Sequence, residues 1–420
     1  MAQAGEAREL TYDTTIEIHN FGPIKSASLN VSRVTVFTGN QGSGKSTIAK
    51  LISTFLWMEK MLVRGDYYVN DFTADDFIKK RLLYHRLSDY LKDTTALAYK
   101  GEAWSFVYQD GTLTLTECRA PHYALPQIMY VPAERSVVAS VGNAAKLKDI
   151  SGALSELITE YTNARQSMPD LVKLPINDTY AGYDKVRDTQ YIQGVDYRVN
   201  LIDAASGFQS IVPLYLVSQH LCSTVTSVKN NEPMSSDEKR RFEKQFKEIA
   251  NDPNLNEEQK RIARSSLGRR YNKSAFINIV EEPELNLYPS AQKQLLYELL
   301  RFNNTVHENQ AEPKNRTIMT THSPYLINFL SVAIHGKELL RKVMQSDKKE
   351  ALREELASIV PLESLTDIGD VSIYQLDETK GCIEKLPSPY GIPSDDNLLN
   401  KMLGQGNADF DALLEIEEKL

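Results

Sequence analysis

Apolar and polar positions alternate in three short runs near the start of the chain: Thr14 to His19, Ser26 to Val31 and Arg33 to Thr38. The residues between them, Asn20-Phe21-Gly22-Pro23 and Ser32, are turn formers, so the pattern predicts strands. After Lys45 the period changes. Ile48, Leu51, Ile52 and Phe55 recur at helical spacing, which predicts an amphipathic helix. Residues 72–93 read as helical and highly charged, 95–118 as two or three strands, and Gln127 to Val131 as a buried strand ended by Pro132. Ala153 to Met168 predicts a helix, and the stretch to about 190 fits neither period. Gly207 to Leu221 predicts a helix that Pro213 kinks or opens. Further on, the pattern predicts a strand at Ala275 to Val280, a helix from Pro289, a strand at Arg316 to Thr321 and a helix after Ser323. The tail reads as two helical pieces, a strand near Val371 to Leu376 and a final helix to Leu420. Strands alternating with helices predict an α/β sheet protein.

Composition narrows the class. With 420 residues the chain is long enough for two or three domains, or for one domain with an inserted lobe. Lys and Arg number 48 against 56 Asp and Glu, so the overall balance gives no electrostatic footprint for nucleic acid. No apolar run reaches the roughly 20 residues of a membrane span, and Met1 to Asp13 has no apolar signal region. Cys118, Cys222 and Cys382 are too few and too widely spaced for a disulfide framework or a zinc site. The expectation is a cytoplasmic, globular protein with no membrane partner. One segment departs from the acidic average: Val225 to Lys273 holds 12 Lys/Arg and 8 Asp/Glu. Ser235 with Glu238 suggests a capping box, Phe242, Phe246 and Ile249 form one apolar stripe, and Asn256 opens a second helix to about Leu267. This predicts a charged two-helix insertion.

Gly39-Asn40-Gln41-Gly42-Ser43-Gly44-Lys45-Ser46, followed by Thr47, matches G-x-x-x-x-G-K-[ST] completely. The glycines let backbone N–H groups turn inward around phosphates, Lys45 reaches the β/γ-phosphates and the Ser46 hydroxyl can ligate Mg²⁺. The helix that follows aims its positive end at the same anion. ATP and Mg²⁺ are therefore the expected ligands, with Gly39 to Thr47 as contacts. Downstream, the apolar strand Phe276 to Val280 ends in Glu281-Glu282-Pro283-Glu284. Beside a phosphate loop, Glu281 is the expected metal ligand with Ser46, Glu282 the group that orients or deprotonates the attacking water, and Glu284 a cap of the next turn. His322, at the end of the strand Arg316 to Thr321, can reach a γ-phosphate and completes the catalytic set of Lys45, Glu282 and His322. Ser206 and Gly207, at a helix start, offer a second anion-binding surface.

The order phosphate loop, Ser-Gly-x-Gln, acidic strand, Thr-His resembles the ABC-type ATPase head of transporters, SMC-like repair proteins and OLD-family ATPases. Asn20-Phe21-Gly22-Pro23-Ile24-Lys25, Tyr130 to Ser136, Glu281 to Leu285 and Thr320 to Pro324 look most like the bacterial group labelled AAA-type but built on the ABC plan. The resemblance implies an α/β ABC-type P-loop head, a mixed sheet flanked by helices, with a helical insertion. It assigns residues 1–420 to one split head. A helical or variable lobe lies at 72–93 and 140–190, the charged insertion at 225–273, and a C-terminal extension completing the head at 334–420. It also implies a homodimer or higher homo-oligomer. ATP on Lys45 and Ser46 of one copy would be closed over by Ser206 and Gly207, a reduced signature motif, of another. Departures are clear: Glu281 stands where ABC proteins use Asp, the signature lacks its leading Leu and second Gly, and no glutamine marks a Q-loop. Glu134 or Arg135 occupies that region.

The function this implies is an ATPase that regulates an effector in trans, a nuclease of bacterial anti-phage defence, similar in plan to ATPase subunits of PARIS-type systems. A nucleic acid or phage protein would be the trigger. Only 98 residues follow His322, and their one adjacent aspartate pair, Asp395-Asp396, lacks a preceding strand, unlike the Toprim nuclease of OLD relatives. Two other readings stay open: an SMC-like DNA clamp, with Arg261, Arg264, Arg269 and Arg270 as contacts, and a sensor scaffold locked by ATP.

Overall fold

The computed structural model describes residues 14–118, 123–141, 147–226, 236–251, 253, 260, 273–306 and 314–417. Strands β1 (Thr15–Phe21), β2 (Ile24–Asn30) and β3 (Val34–Gly39) lead through the glycine-rich loop into α1 (Lys45–Arg64). Three further strands, β4 (Ala96–Lys100), β5 (Trp104–Gln109) and β6 (Thr112–Glu117), precede the buried β7 (Pro126–Val131). Later come β12 (Ala275–Glu281), β13 (Arg316–Thr321), β14 (Val371–Asp377) and β15 (Cys382–Lys385). They form one eleven-stranded sheet in the order β6-β5-β4-β1-β2-β15-β14-β3-β13-β12-β7. The strands β7, β12, β13, β3 and β14 pair in parallel, while β2, β1, β4, β5 and β6 pair antiparallel. The sheet is mixed, with helices packed on it, and both ends of the chain meet where β14 lies beside β3.

The parallel strands are covered on both faces, which is why β3, β7 and β12 are buried throughout and show no polar alternation. Strand β12 sends Phe276 and Val280 to one core and Ile277 and Ile279 to the other. The first core holds the helices α4 (Gly152–Ser167), α5 (Ser206–Thr226), α7 (Pro289–Asn304) and α8 (Pro324–Val343); the second holds α1. The helices α2 (Ala74–Asp76), α3 (Ser136–Ser140), α6 (Ser236–Asn251), α9 (Lys349–Ile359) and α10 (Leu398–Glu417) complete the described set.

Within the second core, the Phe55 ring stacks against Phe77, Tyr99 and Phe106 at centroid distances of 5.8, 5.2 and 5.9 Å. Phe55→Ala is expected to cost about 3–5 kcal/mol of unfolding free energy, read by urea denaturation. A cost below about 1 kcal/mol would mean that the site collapses around the loss.

The structure adds detail to two segments. Residues 72–93 are helical from 74 to 84, with α2 running directly into π-helical geometry at Phe77–Leu82, and a 3₁₀ turn follows at Ser88–Tyr90. Buried Phe77 and Leu82 anchor the segment, and Arg86, at φ 57°, reverses it. The 140–190 lobe is helical in α4, but β8 (Leu171–Lys173), β9 (Tyr180–Asp184), β10 (Thr189–Gln193) and β11 (Arg198–Asn200) then form a separate four-stranded antiparallel sheet. Its turns use Asn177, Asp178 and Asp188 in left-handed conformations, which asparagine and aspartate tolerate. Helix α5 is continuous from Ser206 to Thr226 with Pro213 inside it, not in its first turn. In the insertion, α6 forms as expected. The second helix from Asn256, and Arg261, Arg264, Arg269 and Arg270, lie outside the described residues.

Candidate active site

The phosphate loop turns at Gly39, Gly42 and Gly44, with φ of 146°, 78° and 103°. Side chains other than glycine rarely adopt these angles. Space also requires glycine at Gly39, where a Cβ would meet the Leu376 carbonyl oxygen of β14 at 2.5 Å. Lys45 opens α1 and folds back over the loop, its Nζ donating to the carbonyls of Gly39 and Asn40 at 2.8 and 2.7 Å. Burial pushes the Lys45 ammonium down to about 8, against the opposing pull of Glu282, Glu284 and Glu378. The Ser43 hydroxyl is enclosed without a hydrogen-bond partner. Asn40 Nδ2 donates to Glu378 Oε1 at 2.6 Å, tying the loop to the turn after β14.

At the end of β12 the two glutamates diverge. Glu281 is buried and its carboxylate accepts from the Tyr130 hydroxyl and from the Ala133 N–H at 3.0 Å. Lys50 Nζ, one turn past Ser46 on α1, lies 3.6 Å from the same group. Glu282 takes φ 43°, a left-handed conformation uncommon outside glycine, and its N–H donates to the Thr320 carbonyl at 2.9 Å. That turn aims its carboxylate at His322, with Oε1 and Nε2 3.5 Å apart. The His322 ring, with Lys45 and Arg135 beyond it, holds Glu282 below the usual carboxylate range against the effect of burial.

Glu284 does more than cap a turn. Its Oε1 accepts from the Thr321 hydroxyl at 2.9 Å and from the His322 N–H at 2.6 Å, fixing the histidine's backbone. Its Oε2 is enclosed with no partner, and burial pushes its pKa up. Arg135, whose role the sequence left open, is completely buried and donates to the carbonyls of Glu281 at 2.7 Å and Glu282 at 2.6 Å.

The structure thus brings Lys45, Glu282, Glu284 and His322 together at the ends of β3, β12 and β13. Ser206 and Gly207 lie against the turn that follows β12. Ser206 is exposed at the start of α5, and a Cβ on Gly207 would lie 3.0 Å from the Asn286 carbonyl oxygen. Mg²⁺ would be held by the Ser46 hydroxyl and Glu281, whose carboxylate accepts two hydrogen bonds and keeps acceptor capacity for a metal-bound water. Among the described residues no group of three or more His, Cys, Asp or Glu side chains could hold a metal by itself. When bound, Mg²⁺ would neutralise charge developing on the phosphates. No described helix is long and apolar enough to cross a membrane.

Residues 14–102 and 258–327, less than half of the chain, match the AAA ATPase domain family. No protein of curated function matches the sequence. Among solved structures, the SMC head domain from Thermotoga maritima aligns at 10% identity and TM-score 0.34, covering 75% of this chain and 90% of that one. A Smc head domain from Pyrococcus furiosus, with an extended coiled coil and bound to the C-terminal domain of ScpA, aligns at 10% identity and TM-score 0.36, covering 88% and 94%. A dimeric ATP-binding cassette bound to ADP and Pi aligns at 13% identity and TM-score 0.24, covering 89% and 99%. The family match spans both the phosphate loop that follows β3 and the paired glutamates at the end of β12, two strands that β13 separates in the mixed sheet.

Proposed function

We propose that the protein is a Mg²⁺-dependent ATP hydrolase that assembles head to tail and regulates an effector, a nuclease of anti-phage defence, in trans. The observation that carries the hydrolase reading is the convergence of Lys45, Glu282 and His322. Lys45 and the loop amides hold the phosphates, Glu282 stays ionised as acceptor for the water proton, and His322 touches both that carboxylate and the γ-phosphate side. Glu282 as base needs its low pKa only to be unprotonated at neutral pH; position supplies the rest.

Assembly is supported by the exposure of Ser206 at the start of α5. A second copy would bring that turn over the nucleotide. Co-purification with the product of the adjacent gene, and phage restriction only when both are present, tests the effector reading. Restriction by this chain alone would overturn it. Salt-steep affinity for duplex ends would instead favour the DNA clamp.

The depressed Lys45 gives a pH prediction. A folded pKa of about 8 leaves about half of the side chain neutral at pH 8, and a bound triphosphate restores its charge. ATP binding at pH 8 is therefore expected to take up about half a proton, and affinity is expected to fall as pH rises further. Calorimetry in buffers of different ionisation enthalpy measures the uptake. Lys45→Arg, charged throughout, should abolish it; equal uptake in that variant would assign the proton elsewhere.

A further inference from the structure

Arg135 is the largest fully buried side chain among the described residues, and its hydrogen bonds go to main-chain carbonyls. A guanidinium has five N–H donors and no acceptor. Here Nε donates to the Ser210 carbonyl at 3.0 Å, Nη1 to those of Glu281 at 2.7 Å and Pro132 at 3.4 Å, and Nη2 to that of Glu282 at 2.6 Å. Every acceptor is main chain. They come from three segments: the turn after β7, the end of β12 and the first turns of α5.

A second link runs alongside. Asn286 Nδ2 donates to Ser210 Oγ at 3.1 Å, and the Asn286 carbonyl packs on Gly207. Glu282 and Asn286 both hold left-handed φ, 43° and 60°. Such conformations persist where surrounding contacts over-determine them. Arg135 and Thr320 supply those contacts at Glu282, from its carbonyl and its N–H.

We propose that Arg135 is a positioning residue that fixes Glu282 and ties it to the Ser206–Gly207 turn as one rigid unit. This rests on the composite-site reading above. In that assembly the Ser206–Gly207 turn covers the partner copy's nucleotide, whereas Glu282 acts on the nucleotide of its own chain. Docking at one site is then transmitted mechanically to the other, and ATP turnover is cooperative. Coupling of this kind is reciprocal between the two sites.

Arg135→Lys keeps the charge but cannot reach four carbonyls in three segments with one ammonium. It is expected to lower kcat about 30-fold with KM for ATP within threefold, and to bring the Hill coefficient for ATP from above 1 to 1. Hydrogen exchange without nucleotide is expected to quicken in both 206–212 and 281–286 and to stay unchanged in the rest of the sheet. Wild-type kcat and Hill coefficient in the variant, a wild-type Hill coefficient of 1, or faster exchange confined to 132–137 would each overturn the proposal. Should Arg135→Lys fail to fold, Ser210→Ala removes only the Asn286 link. The same paired exchange response and a smaller fall in Hill coefficient are expected there, and no response in either would overturn it. The exchange readout needs no turnover. A wild type without ATPase activity thus sinks the hydrolase reading, while unchanged exchange in an active protein sinks the role of Arg135.

Discussion

Lys45→Ala is expected to lower ATP turnover by about 10³-fold, the scale of removing one charged donor from a pre-organised site. Lys45 is the charged group that reaches over the loop, and its burial means that its field is poorly screened where the phosphates would sit. Its present partners are two carbonyls of its own loop, so truncation leaves two acceptors short of a donor and removes a charge held at a desolvation cost. These effects on stability oppose each other, and the melting temperature should move by only a few degrees. Steady-state phosphate release beside a thermal melt separates the two outcomes. Turnover at the wild-type rate in a folded variant would remove the phosphate loop from the mechanism.

Much of this site could be read in the sequence because its chemistry is local. Gly39 to Ser46 carries its own turn geometry, and the apolar runs of β3, β12 and β13 announce strands covered on both faces. Adjacency to such a strand marks Glu281 and Glu282, and likewise His322. What the sequence hid is non-local. Arg135 reaches Ser210, 75 positions away, and Glu282, 147 positions away, and no periodicity reports such a partner. Glu284 read as a turn cap because its partners, Thr321 and His322, arrive from another strand. The β8–β11 sheet escaped for a different reason: its strands are three to five residues long, too short for a two-residue period to stand out. The pairing of β14 with β3 joins segments more than 330 positions apart, so only the structure shows that the tail's turn touches Asn40 through Glu378.

Glu282→Gln is expected to lower turnover by about 10²–10⁴-fold while ATP still binds and still drives assembly. The amide keeps the volume of the side chain and can still meet His322, and the left-handed backbone is held by Arg135 and Thr320, which the substitution leaves intact. What disappears is the acceptor that takes the water's proton. Mass measurement in solution with and without ATP should therefore show the assembled form persisting longer than in the wild type, since the γ-phosphate is no longer removed. Hydrolysis at the wild-type rate would show that Glu282 is not the base. The biological result decides between mechanisms. If the variant assembles and loses function, turnover itself drives the regulation of the effector. If it assembles and keeps function, ATP acts as a lock and the scaffold reading prevails, because a folded, nucleotide-bound assembly is then sufficient without the proton transfer that Glu282 provides.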